Sequence, residues 1–334
     1  GGGVFVVGPL GVDLGFADGG SSDTAVSRAK DADGSVYGKA GANFATTLTA
    51  QRWQAADDSN NDGVPDDDAD LSNNGTTPHY GNETGSTEVD AVVTHALQAP
   101  VASIGSRDGV LTGGAAFTAF TGAVSTSDLS FSAVGIIELV AHLADNDYLG
   151  SGQDIQGNVQ KVGRFTPNHF TLSAPSISAA CMPGTDFTYM GERFPVSFIL
   201  EARNASGTIT ENYINGFVKL PATRFAPDSV FHGVEDNSAA PDIDYSSRVQ
   251  SIDAAFSVDF DDFGESAPGT GSIMGTLVFN RENDGVGVDG AQDGPFILRI
   301  GTSISDSDAI GINLLGTDID VDDGVTEPGS SVYT

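Results

Sequence analysis

Cysteine, tryptophan and basic side chains are scarce in this 334-residue chain, which carries 1 Cys, 1 Trp and 14 Lys plus Arg against 46 Asp plus Glu. A single thiol, Cys181, excludes an internal disulfide, a zinc ribbon and a CxxC redox pair. It reads either as a buried small hydrophobe or as half of a pair whose partner lies outside this segment. The shortage of basic residues leaves a net charge of −32. That charge repels phosphate, which argues against nucleic acid and anionic membrane surfaces as partners. Long apolar runs are missing too. The longest, Ala133 to Ala144, contains Glu138 and His142 and is too short to span a bilayer, so no membrane insertion is expected. The start, Gly1-Gly2-Gly3-Val4-Phe5-Val6-Val7, has neither Met nor a basic leader and reads as the processed or excised edge of something larger.

Segments with clean 3.6-residue apolar periodicity are absent, and alternation takes their place. Phe44 to Ala50, Leu129 to Val134, Phe194 to Ala202, Ile273 to Phe279 and Phe296 to Ile300 each read as strands, separated by turn residues drawn from 43 glycines. The pattern predicts an all-β fold of tandem Ig-like β-sandwich modules with acidic inter-strand loops.

A weak internal repeat supports two modules. Tyr37 to Phe44 and Tyr189 to Phe194 both place Gly-x-x-Phe at the start of a strand that ends in Ala and a basic residue, as Ala50-Gln51-Arg52 and Ala202-Arg203. Thr77-Pro78-His79-Tyr80 and Thr210-Glu211-Asn212-Tyr213 follow downstream of each copy. The small, polar, Pro-containing stretch Ser173 to Cys181 reads as a linker or an edge strand. The expected modules are therefore residues 1–174 and 175–334.

The most specific motif is Asp58-Ser59-Asn60-Asn61-Asp62-Gly63-Val64-Pro65-Asp66, the first nine positions of an EF-hand-type calcium loop. Hard oxygens from Asp58, Asn60 and Asp62 would wrap one side of the ion, Gly63 would permit the sharp turn, and Val64 would offer its carbonyl. Asp66 would act directly or through water. Position twelve is Ala69 rather than Glu, so Asp67, Asp68 or Asp70 must close the shell. The expected metal ligands are thus Asp58, Asn60, Asp62, Val64, Asp66, Asp68 and Asp70, with calcium as the ion. The alternative is an acidic, solvated turn. Weaker acidic clusters stand at Asn283 to Asp293, Asp306 to Asp308 and Asp318 to Gly324.

The five histidines show no HExxH pattern or close pair. His142 reads as a core residue and His169 as a structural hydrogen-bonding residue. Arg164 is expected to be partly buried against a carboxylate. The Tyr213 hydroxyl is expected to tie a corner by bonding backbone. No nucleophile elbow, P-loop or dinucleotide fingerprint is present, so no enzyme is expected.

Val162-Gly163-Arg164-Phe165-Thr166-Pro167-Asn168-His169-Phe170, then Cys181, then Phe187 to Phe194, resembles a hallmark of the MshQ family of mannose-sensitive haemagglutinin pilus biogenesis. Thr210 to Tyr213, Asp293 to Gly301 and Lys39 to Phe44 extend the resemblance over roughly residues 27 to 325. It implies an exported protein of a Gram-negative bacterium, extracellular or at the cell surface, associated with type IV pili, and no catalytic residues. The partners expected are other copies of the chain or pilus and surface proteins. The alternative is an adhesin or carbohydrate-binding module with a glycan ligand.

Overall fold

The computed structural model describes residues 11–16, 31–67, 69–82, 90–100, 107–115, 117–118, 120, 124–181, 187–225, 230–235, 243–252, 256–260, 267–281, 297–312 and 331–333. The chain divides into two compact units, Gly1–Thr166 and Pro167–Thr334. Each holds two four- or five-stranded sheets, as the alternating apolar runs imply.

In the N-terminal unit, one sheet is antiparallel throughout. It runs β1 (Gly11–Phe16), β3 (Asn43–Gln51), β6 (Val124–Phe131), β5 (Leu111–Thr112). The second runs β2 (Gly38–Lys39), β8 (Gln160–Thr166), β7 (Gly135–Leu143), β4 (Ala91–Ala99), with only β2 and β8 parallel. Phe44, Leu48, Leu129, Phe131, Ile137, Leu139 and Phe165 are buried in its core. Burying such a side chain stabilises by about 1.5–3 kcal/mol. Tyr37 packs edge-on against Phe44 and Phe165 at ring separations of 5.5 and 5.4 Å.

In the C-terminal unit, one sheet runs β13 (Val249–Ser251), β15 (Thr270–Phe279), β10 (Arg193–Arg203), β9 (His169–Ile177), with β14 (Ser257–Phe260) also paired to β15. The other runs β12 (Ile243–Asp244), β11 (Phe231–Glu235), β16 (Ile297–Thr302), β17 (Ser331–Tyr333). Phe194, Leu200, Leu277, Phe279 and Leu298 are buried between these sheets, with Phe225, Phe231 and Phe256 stacked beside them.

The division falls at Thr166–Pro167 rather than at 174–175. Residues 169–177 form β9, which pairs with β10 and stands at the end of its sheet's strand order. Of the two readings of this Ser- and Pro-containing stretch, the structure shows the edge strand and not the linker, and Pro175 there removes no central ladder bond.

The two units repeat one strand plan. β1, β3 and β6 occupy the places of β9, β10 and β15, and β4, β7 and β8 those of β11, β16 and β17. The repeated residues occupy matching geometry. Gly41 and Gly191, at φ 75° and 83°, donate their N–H groups to Phe131 O and Phe279 O at 2.6 and 2.8 Å. Phe44 then faces Leu129 across the ladder, and Phe194 faces Leu277. Thr77 donates both its N–H and its hydroxyl to Ala50 O, and Thr210 does the same to Ala202 O. Three residues later, Tyr80 and Tyr213 are both buried. β3 has 9 residues and β10 has 11, a difference of one pleat period that leaves every side chain on the same face.

Candidate functional site

Against this shared plan, one difference falls at the calcium-type motif. Gln51 bridges Thr76 and Arg203 bridges Ile209 at equivalent places in the two units. The C-terminal unit joins its pair with the tight turn 204–208. The N-terminal unit joins its pair with the insertion 52–75, which contains the calcium-type motif. Its base is closed by the Arg52 N–H donating to Gly75 O at 2.8 Å.

Asp58 is the anchor of the insertion and only 1% exposed. Its Oδ1 accepts the Asp62 N–H at 3.2 Å, and its Oδ2 accepts the Gly63 N–H at 2.9 Å. The indole N–H of Trp53 also donates to Oδ2, at 3.3 Å. Burial alone would raise the Asp58 pKa; the N–H groups of Gly63, Trp53, Asp62 and Asn61 outweigh it and hold the carboxyl below its ordinary value. Asn60 Oδ1 accepts the Asp62 N–H at 2.9 Å, Asp62 Oδ1 accepts the Val64 N–H at 2.8 Å, and Asp66 Oδ2 accepts the Ser59 N–H at 3.1 Å. The turn reverses through Asn61 and Gly63 at φ 60° and 89°, conformations that Gly adopts without penalty and Asn tolerates.

A second set of bonds braces the insertion. Asn74, 7% exposed, donates its amide to Arg52 O at 3.1 Å and to Asp57 Oδ2 at 2.8 Å, and accepts from Gln54 Nε2. Asn158, next to β8, donates to Ala69 O at 2.6 Å. At the root of the insertion, Gln51 Oε1 is buried without a hydrogen-bond partner among the described residues.

The donor set is of the hard-oxygen kind that calcium takes, and the turn has the form the motif implies. The carboxylates of Asp58, Asp62 and Asp66 already accept N–H groups and keep further lone pairs. Among the described residues, however, no three His, Cys, Asp or Glu side chains converge closely enough to hold a metal ion. Asp68 lies outside the described residues, and Asp70 is exposed.

The other singled-out residues resolve as structural parts. Asp306 is not a surface cation ligand: it is 1% exposed, and its Oδ1 accepts the N–H groups of Asp308 and Ile310, each at 2.9 Å. Its Oδ2 accepts the Tyr213 hydroxyl at 3.0 Å, and that hydroxyl accepts the Lys219 N–H at 3.0 Å. Burial raises the pKa of both Asp306 and Tyr213, and for Tyr213 the Asp306 charge adds to it. Arg164 is buried as expected, but the partner shown is a backbone carbonyl, Gly34 O, at 2.8 Å from Nε. His169 meets Asn168 Oδ1 at 3.2 Å. His142, half-buried rather than a core residue, meets Leu143 O at 2.8 Å. Cys181 is half-buried, and its thiol donates to Glu192 Oε2 at 3.5 Å. Burial and the Glu192 carboxylate push the thiol pKa up, which disfavours the reactive thiolate. The acidic stretches around 283–293 and 318–324, and the Val4 to Val7 segment, lie outside the described residues. Among the described residues, no helix is long and apolar enough to cross a membrane.

Sequence reasoning singled out Asp306 only as part of an acidic cluster and missed the structural roles of Trp53, Asn74 and Asn158. Of these three, Trp53 carried a signal, being the sole tryptophan and five residues before Asp58. Fold and site together define an all-β protein of two like sandwiches, one bearing an acidic, calcium-type insertion. The chain belongs to the DUF6701 family: the model of the family's third domain matches residues 133–329, and that of its second domain matches residues 9–130. The junction of the two matches falls in the turn between β6 and β7, inside the N-terminal unit, where β7 completes a sheet by pairing with β4. Neither a curated protein nor a solved structure matches the chain.

Proposed function

We propose that the chain is a non-catalytic structural segment of a secreted, calcium-stabilised bacterial surface or pilus-associated protein, assembling with other copies of itself or with pilus and surface proteins. The observation that carries this reading is the placement of the calcium-type loop. It is an insertion between Gln51 and Thr76, at a place where the C-terminal sandwich has only the tight turn between Arg203 and Ile209. A net charge of −32 fits a surface that is kept soluble and neutralised locally by divalent cations. The resemblance of residues 162–213 to the MshQ family supports an extracellular or cell-surface location in a Gram-negative bacterium. Calcium bound by Asp58, Asn60, Asp62, Val64 O and Asp66, with Asp68 or Asp70 closing the shell, would stiffen the insertion against unfolding and proteolysis.

Trp53 provides the readout, because its indole N–H touches the first ligand of the loop. Calcium titration is expected to change the tryptophan emission and raise the melting temperature of the N-terminal module. At a hundredfold excess over Kd the gain is about 2.7 kcal/mol. Replacing residues 53–74 with a turn like 204–208 should leave the C-terminal module unchanged and abolish the calcium-dependent shift in melting temperature. An unchanged emission and melting temperature with calcium, and no loss with chelator, rejects the metal assignment.

The second reading, an adhesin or carbohydrate-binding module, is favoured by exposed aromatics. Tyr189 is 60% exposed with Phe187 edge-on at 4.9 Å, and Trp53 is 37% exposed. Binding on a glycan array lost in Tyr189→Ala would support it over the structural role.

A further inference from the structure

The chain contains two Asn-Gly dipeptides, Asn74-Gly75 and Asn215-Gly216, one in each unit. This pair is chemically labile because glycine has no Cβ to hinder its own amide nitrogen from reaching the preceding side chain. The structure treats the two sites oppositely. Asn74 is 7% exposed, and its amide is held at both ends by Arg52 O, Asp57 Oδ2 and Gln54 Nε2. Asn215 and Gly216 are both exposed. The Asn215 side chain makes no hydrogen bond among the described residues. Its backbone sits at φ 48°, at the start of a short 3-10 turn closed by the Val218 N–H on Asn215 O at 3.0 Å.

We propose that Asn215 is a spontaneous modification site, converted to aspartate and isoaspartate in the folded protein, while Asn74 is protected. The Gly216 amide nitrogen loses its proton and bonds to Asn215 Cγ. The Cγ–Nδ2 bond breaks and the side-chain nitrogen leaves as ammonia, closing a succinimide ring. Water then opens the ring at either carbonyl, and no oxidant, reductant or enzyme is required.

The location gives the reaction a consequence. The turn at 215–217 begins two residues after Tyr213 and leads to Lys219, whose N–H reaches the Tyr213 hydroxyl. Isoaspartate lengthens the main chain by one carbon inside this short connection and adds a negative charge, so ageing loosens the corner that holds Tyr213 against Asp306.

The test is peptide mapping by mass spectrometry of the full chain held in mildly alkaline buffer, beside a sample in denaturant. In denaturant both asparagines should convert at similar rates. In the folded protein Asn215 should convert at least about tenfold faster than Asn74, because Asn74 reacts only after local opening. Gly216→Ala should slow the reaction at Asn215 in both samples without altering Asn74. Equal rates at the two sites in the folded protein, or an Asn215 that stays intact when folded yet reacts in denaturant, would overturn the proposal.

Discussion

Strand β3 leaves its sandwich at Gln51 and the chain returns at Thr76, whereas β10 leaves at Arg203 and the chain returns at Ile209. The anchoring is the same at both places, a threonine latch on the carbonyl of the strand's last alanine, Ala50 or Ala202. Loop-closure entropy grows only logarithmically. Lengthening a closed loop from the 204–208 turn to the 52–75 insertion therefore costs about 1.4 kcal/mol before any new contact forms. That cost is small, so a sandwich with this latch can carry the long insertion as readily as the short turn.

The two units also use carboxylates in opposite ways. Asp58 sits in a loop whose N–H groups hold its pKa down, and Asp306 sits deep enough that burial pushes its pKa up. Asp58 turns the loop; Asp306 receives two backbone N–H groups of its own turn and a tyrosine hydroxyl from a distant connection.

The largest test of this contrast is Asp306→Ala. It removes the acceptor of the Tyr213 O–H and of the Asp308 and Ile310 N–H groups, and should cost the C-terminal module about 3 kcal/mol. Urea unfolding that resolves the two modules would read this, with the N-terminal transition unmoved. A smaller effect of opposite sign is expected from Thr46→Val. The Thr46 hydroxyl is buried without a hydrogen-bond partner among the described residues, whereas the corresponding position in the other unit, two residues after the strand-opening Phe, is Val196. Replacement should stabilise the N-terminal module by about 1 kcal/mol, measured by the same unfolding curve. A loss of stability instead would mean that the hydroxyl has a partner such as a bound water.

The mildest test is acidification. Asp58 has a depressed pKa, so its contribution is present above the ordinary carboxylate value and is lost as pH falls through the folded value. Asp306 has a raised pKa, so stability is gained as pH falls through its folded value toward the unfolded one. Melting of wild type against Asp58→Asn and Asp306→Asn across that range should show the two mutants deviating in opposite senses.

The strands and the repeat were legible from local pattern. Phe44 to Ala50 and Phe194 to Ala202 alternate because one face of each strand is buried. Gly-x-x-Phe and Thr-x-x-Tyr recur because each bonds a strand carbonyl in the same way in both sandwiches. The module boundary was less legible, since the edge strand β9 is small, polar and interrupted by Pro175. The calcium-type motif could be read because its ligand spacing is local. The bracing by Asn158, and the pairing of Tyr213 with Asp306, could not, since these partners lie 89 and 93 residues apart.

Local periodicity and turn chemistry thus determined the all-β class, the duplication and the acidic loop. Tertiary structure alone decided that the loop is an insertion into a shared plan, that Trp53 touches Asp58, and that Asp306 is a buried clamp rather than a surface ligand. The physical reason is that burial and hydrogen-bond partnership depend on which strands pair, and that pairing joins residues whose spacing in the chain carries no signal.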